Sequence, residues 1–103
     1  MASPMRIRAT MMNDATEVKV LMSHPMETGL RKDSTGAPVP AHHIKDVVAK
    51  HNDKVVLQAE WGGAVSQNPF LQFKFSGGAA GDTVSVTWND NKGETRTDQV
   101  TLR

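Results

Sequence analysis

Along most of its length the chain alternates apolar and polar residues with a period of two. Met5, Ile7, Ala9 and Met11 are interleaved with Arg6, Arg8 and Thr10, and Val18, Val20 and Met22 with Glu17 and Lys19. Val55, Leu57, Ala59 and Trp61 share a phase opposite to Lys54, Gln58 and Glu60. Leu71, Phe73 and Phe75 alternate with Gln72 and Lys74, and Val84, Val86 and Trp88 with Thr83, Ser85 and Thr87. A more polar run closes on Val100 and Leu102. Successive side chains of a strand point to opposite faces, so each run predicts a strand with one buried and one wet face. No stretch has a helical period. Ala41 to Lys50 comes nearest, and its β-branched residues favour a strand.

The joints between the runs are turn-rich. Asn52-Asp53 suits a two-residue hairpin between HIKDVVAKH and KVVLQAEW, because Asn and Asp tolerate positive φ. That register sets Val48 opposite Leu57 and Ile44 opposite Trp61. It also brings Asp46 onto the apolar face near Ala59, which calls for a bulge or an edge position there. Gly77 to Asp82 and Asn89 to Gly93 mark two further turns. The expected core is Ile44, Val48, Leu57, Trp61, Phe73, Val86 and Trp88. About seven short strands in a chain of this size predict an all-β fold, an immunoglobulin-like antiparallel sandwich, as one domain over residues 1–103.

One segment breaks the regular spacing. Ser23 to His42 carries Pro25, Pro38, Pro40, Gly29 and Gly36, and a loop of this length in a small domain is usually functional. It opens on LMSHPMETGLRKD, where Met22, His24 and Met26 fall on alternate positions and would point the same way in an extended chain. Imidazole and thioether suit copper better than zinc or magnesium, so these three, with His42 and His43 at the far end of the loop, form a candidate soft-metal set. Against it, Pro25 interrupts the extended run, and Met22 continues an inward phase where Met commonly fills core space. His42-His43 otherwise reads as a solvated strand start, and His51 as plain surface beside a turn.

Composition narrows the function classes. Twelve Lys and Arg nearly balance eleven Asp and Glu, with no basic stripe along the sequence, which argues against nucleic acid as the main ligand. No apolar run approaches a membrane span. The N-terminal MASPMRIRAT has no apolar stretch after its arginines, so no signal peptide of its own is expected. With no cysteine, disulfides, thiolate zinc sites and cysteine nucleophiles are all excluded. Ser23 and His24 are sequence neighbours, which is not a nucleophile–base arrangement. Asp46, Glu27 and Glu60 show no spacing that pairs them, and Gly77, Gly78 and Gly81 open no helix, so they make no phosphate loop. No catalytic residue is expected.

SHPMETG at 23–29, NPF at 68–70 and GDTVSVTWND at 81–90 together resemble the SoxZ family, the Z subunits of the SoxYZ sulfur carrier in bacterial thiosulfate oxidation. The resemblance runs from about Arg6 to Leu102; it departs at His43, where an aromatic is common. It implies an immunoglobulin-like sandwich and a non-catalytic chain, with no cofactor and no metal, paired in a heterodimer with SoxY. The C-terminal Gly-Gly-Cys-Gly-Gly arm of SoxY holds sulfur intermediates covalently, and the complex carries them between SoxAX, SoxB and SoxCD in the periplasm. A missing signal peptide then fits export bound to SoxY. A missing cysteine fits a subunit that must not compete for sulfane sulfur, since a nearby thiolate attacks a persulfide by exchange.

On this reading Met22, Ser23, His24, Pro25, Met26, Glu27 and Arg31 are expected to face the partner, because Met and Arg are enriched at interfaces. The competing expectation is that SHPMETG folds back to cap the sandwich. A partner-adapted face is also expected to leave the isolated chain as a homodimer or other weak oligomer. The reading from a different class is a small periplasmic copper-binding sandwich that uses Met22, His24 and Met26.

Overall fold

A computed structural model describes residues 3–62 and 65–103. Seven strands follow one another: β1 (Arg6–Met12), β2 (Ala15–Leu21), β3 (Ile44–His51), β4 (Lys54–Glu60), β5 (Phe70–Ser76), β6 (Thr83–Asp90) and β7 (Thr95–Thr101). They form two antiparallel sheets, of order β1-β2-β5 and β4-β3-β6-β7. The chain crosses between sheets at β2–β3, β4–β5 and β5–β6, and the two inner faces meet in an immunoglobulin-like sandwich. No helix occurs among the described residues, so none is long and apolar enough to cross a membrane.

Period-2 patterning does what the sequence predicts where strands are regular. In β6, Val84, Val86, Trp88 and Asp90 are buried and the residues between them are half-buried. Val18 and Val20 of β2 and Phe75 of β5 meet them from the other sheet. Of the expected core, Ile44, Val86 and Trp88 are fully enclosed, whereas Leu57, Trp61 and Phe73 are half-buried and pack against its margin.

Val48 is a correction. It lies on the outer phase of β3, and the inward set is Ile44, Val47 and Ala49. The hairpin closes at His51 and Lys54 as Asn52-Asp53 predicts, but the pairing slips between Ala49 and Lys50, so Ala49 faces Leu57 and Val48 faces Gln58. A second irregularity against β6 falls between Ile44 and Asp46. Each extra residue shifts the side-chain phase by one, and a shift of one turns every later residue to the other face. The bulge expected near Asp46 is therefore present. It takes that carboxylate off the core face, where it accepts a hydrogen bond from Asn89 Nδ2 at 2.7 Å.

The long β2–β3 loop is ordered as a ribbon. Glu27 and His42 exchange backbone hydrogen bonds at 2.7 and 2.9 Å, and Val39 N–H donates to Arg31 O at 2.8 Å. At its tip Asp33 Oδ1 accepts from the Thr35 and Ala37 amides, an Asx-type turn. Gly29 sits at φ 89° beside Ala41, where a Cβ would approach the Ala41 Cβ to 3.3 Å, so a larger residue there would be both strained and crowded.

Trp88 lies at the centre of this packing. Trp88→Ala is expected to cost about 3–5 kcal/mol in denaturant unfolding, as large-to-small aromatic core changes do. A loss below about 1 kcal/mol would show that the site collapses around the deletion.

Candidate functional site

The alternation of β2 does not stop at Leu21. Met22 N–H donates to Pro69 O at 2.9 Å, which extends the ladder, and the next buried positions are His24 and Met26. Met22, His24 and Met26 do point the same way, and that way is inward: they are 1, 3 and 6% exposed. Ser23 and Pro25, the intervening phase, are exposed, as is Arg31. Glu27 is half-buried and holds Arg31 through an ion pair at 2.7 Å, which lowers the Glu27 carboxyl below its ordinary value. The stretch caps one end of the sandwich. In the free chain only Ser23, Pro25, Glu27 and Arg31 of the expected partner-facing set reach solvent.

His24 is placed by backbone as much as by side chain. Its N–H donates to Asn68 Oδ1 at 3.0 Å, and its carbonyl accepts from Asn68 N–H at 2.9 Å. Asn68 itself sits at φ 50°, a left-handed conformation that Asn tolerates. Met26 sits at φ 52°, which a Met adopts only under constraint, at a cost of order 1 kcal/mol. Two contacts hold it there. Its N–H donates to His24 Nδ1 at 3.2 Å, and its Sδ accepts from Ile44 N–H at 3.4 Å.

The centre of the site is Asp90, at the end of β6. Its Oδ2 accepts from His24 Nε2 at 3.0 Å and from His42 Nε2 at 2.8 Å. Its Oδ1 accepts from the Lys92 and Glu94 amides at 3.0 and 2.9 Å, which caps the β6–β7 turn. One carboxylate thus ties together both ends of the long loop and the neighbouring turn. Burial by itself would raise the Asp90 pKa and is the largest single influence. The hydrogen bonds from His24, the Glu94 amide, His42 and the Lys92 amide together outweigh it and bring the carboxyl down to about 2. Around this hub the His24 ring stands edge-on to His42, with centroids 4.5 Å apart, and to Trp88 at 5.0 Å. A cavity of about 390 Å³ opens beside it, bordered by Ser23, Pro25, His42, Gln67 and Asn68.

The residues differ from the sequence-based metal set. His24 joins His42 and Asp90, whose three ligand atoms lie within 4.8 Å of one another, a separation a metal ion can use. Met22 packs in the core, and the sulfur of Met26 is engaged with Ile44. Proton placement decides what the cluster does. A backbone N–H can only donate, so the Met26 amide makes His24 Nδ1 an acceptor and puts the ring proton on Nε2, facing Asp90. A metal-ligating His usually donates from its other nitrogen to an outer partner. Here that nitrogen meets a donor, so metal at Nε2 would set two N–H groups against each other. Among the described residues no serine hydroxyl hydrogen-bonds either histidine.

Two smaller expectations change. His42 is a half-buried member of the hub, not a solvated strand start. His51 is half-buried as well: its Nε2 lies 2.7 Å from Asp82 Oδ2, and its ring packs on Phe75 at 4.7 Å. His43 stays outside the cluster and is stitched to Asn91, whose Oδ1 accepts its N–H at 2.8 Å. The residue that sequence reading missed is Asp90. Its phase in β6 matched Trp88 and was therefore legible as inward; the polar identity at an inward position was the available signal.

Asp90→Ala is expected to cost about 3–5 kcal/mol, because removing one member of a buried charged network strands the rest. Its folded pKa is depressed, so the carboxylate contributes stability above the ordinary 3.8, and that stability is lost as pH falls towards about 2. Urea titrations at pH 2 to 5 should give a steep decline for the native chain and a shallower one for Asp90→Asn. Met26→Glu is expected to lower the melting temperature markedly, since it buries a charge without a partner; an unchanged melting temperature would mean the capping contact is dispensable.

The three segments that carry the resemblance, SHPMETG, NPF and GDTVSVTWND, meet at this one place through His24, Asn68, Trp88 and Asp90. No curated protein matches the chain. The family model described as sulphur oxidation protein SoxZ matches residues 5–101. That span holds all seven strands and every member of the hub, and the chain belongs to the SoxZ family.

Proposed function

We propose that the chain is the non-catalytic subunit of a periplasmic sulfur carrier, paired one-to-one with SoxY. The C-terminal cysteine arm of SoxY carries the sulfur intermediate between SoxAX, SoxB and SoxCD. The chain reaches the periplasm bound to SoxY, and without it associates weakly with itself. The family places the chain in sulfur oxidation. Having no cysteine, it brings no thiolate to compete for sulfane sulfur.

The observation that carries this reading is the use of the Asp90 hub. It is the cluster with the most catalytic-looking chemistry, and within it Asp90 and His24 turn their hydrogen bonds into the fold. Asp90 accepts two hydrogen bonds at each oxygen, and His24 uses both ring nitrogens. A base must have a lone pair to offer a substrate. Asp90 and His24, so engaged, hold the scaffold together, which supports a reading in which the sulfur chemistry is left to the partner.

Mixed with purified SoxY, the chain is expected to elute as a one-to-one complex by size exclusion with light scattering. After turnover of thiosulfate by the Sox enzymes, intact-mass spectrometry should put the added sulfur mass on SoxY alone. Absence of a complex, or an adduct on this chain, would overturn the proposal.

A further inference from the structure

Folding gathers cations that the sequence keeps apart. The outer face of the β1-β2-β5 sheet is built in rows fixed by strand register: Arg6–Leu21–Phe70, Arg8–Lys19–Gln72 and Thr10–Glu17–Lys74. Four cations stand there with one carboxylate, on a chain whose net charge is only +1. Glu17 is already engaged by Lys19 at 3.8 Å and by Gln72 Nε2 at 3.2 Å. Among the described residues Arg6 and Arg8 meet no carboxylate. Arg8 and Lys19 are direct cross-strand neighbours, and like charges directly opposite each other destabilise a sheet. Glu17 offsets the Lys19 charge in part, while Arg8 meets no carboxylate of its own among the described residues.

The same face carries large apolar groups in the open. Phe70 is 58% exposed and Leu21, its cross-strand partner, 43%. Together with Arg6, Arg8 and Lys19 they border a depression of about 290 Å³. A neighbouring depression bordered by Pro4, Arg6 and Leu21 runs on to Ser23, the exposed start of the loop. An aromatic and an aliphatic side chain flanked by arginines is the composition of a protein-binding centre. A nucleic acid backbone would gain little from Leu21. A second copy of this chain fits poorly too, since a two-fold contact sets the same cations against each other.

We propose that this face is where the carrier partner docks, and that the partner presents carboxylates around an apolar centre that covers Leu21 and Phe70. The inference rests on the carrier reading above and adds the surface and its chemistry. The partner's carboxylates neutralise Arg6 and Arg8 and relieve the Arg8–Lys19 repulsion, so association is faster and tighter at low salt.

The test uses the full chain and SoxY by titration calorimetry, with Arg8→Glu, Phe70→Ala and, on the other sheet, Lys50→Glu. Arg8→Glu should raise the melting temperature of the free chain or leave it unchanged, because it turns a like-charge pair with Lys19 into an opposite one. It should weaken SoxY binding by about 30-fold or more and flatten its salt dependence. Phe70→Ala should weaken binding by about 30-fold, and Lys50→Glu should leave it unchanged. If SoxY binds the native chain and all three variants alike, the docking face is wrong and the carrier reading stands. If SoxY does not bind the native chain, both fall. If the native chain is a homodimer that Arg8→Glu dissociates while SoxY affinity holds, the face serves self-association and the proposal is overturned.

Discussion

The fold's long loop is closed by one buried carboxylate. Asp90 sits at the end of the central strand β6, and its partners lie 66 and 48 residues earlier in the chain, at His24 and His42. A buried charge is costly unless its lone pairs are engaged, and four donors engage this one. That requirement propagates outward. His24 must keep its proton on Nε2, so its Nδ1 must accept, and the Met26 amide must turn into the left-handed region to supply the donor. Asn68 then holds the His24 backbone, which fixes the start of β5 beside the end of β2. The backbone strain at Met26 is offset because these contacts over-determine it.

The hub also explains why a chemically suggestive cluster serves structure. Two histidines on one aspartate look like a metal centre or an acid–base pair when only residue types are counted. Hydrogen-bond direction separates the cases. The Met26 amide denies His24 the outer acceptor a metal ligand needs. The depressed pKa of Asp90 has the same origin: the donors around it favour the charged form more strongly than burial opposes it.

The two outer faces of the sandwich are not equivalent. That of the three-stranded sheet combines arginines that meet no carboxylate among the described residues with an exposed aromatic, whereas the capping loop turns its methionines inward and leaves Ser23, Pro25 and Arg31 outside. The chain belongs to a sulfur oxidation family and carries no cysteine, so it brings no thiolate of its own to sulfur chemistry.

Much of this was legible in the residues alone. Alternation set the seven strands, and Asn52-Asp53 set the hairpin, because strand phase and turn geometry depend on near neighbours. The inward direction of Met22, His24 and Met26 was contained in their spacing; whether inward meant core or partner was not. Only tertiary structure decided the rest. The extra residue in β3 between Ile44 and Asp46 moved Val48 out and Val47 in, since one extra residue reverses the phase of those that follow. The choice of His42 over methionine sulfur as the companion of His24, and the meeting of Arg8 with Lys19, both depend on contacts between distant segments. Period-2 patterning says which face a residue takes. It carries no information on which distant strand will lie opposite, and that pairing made both the hub and the cationic face.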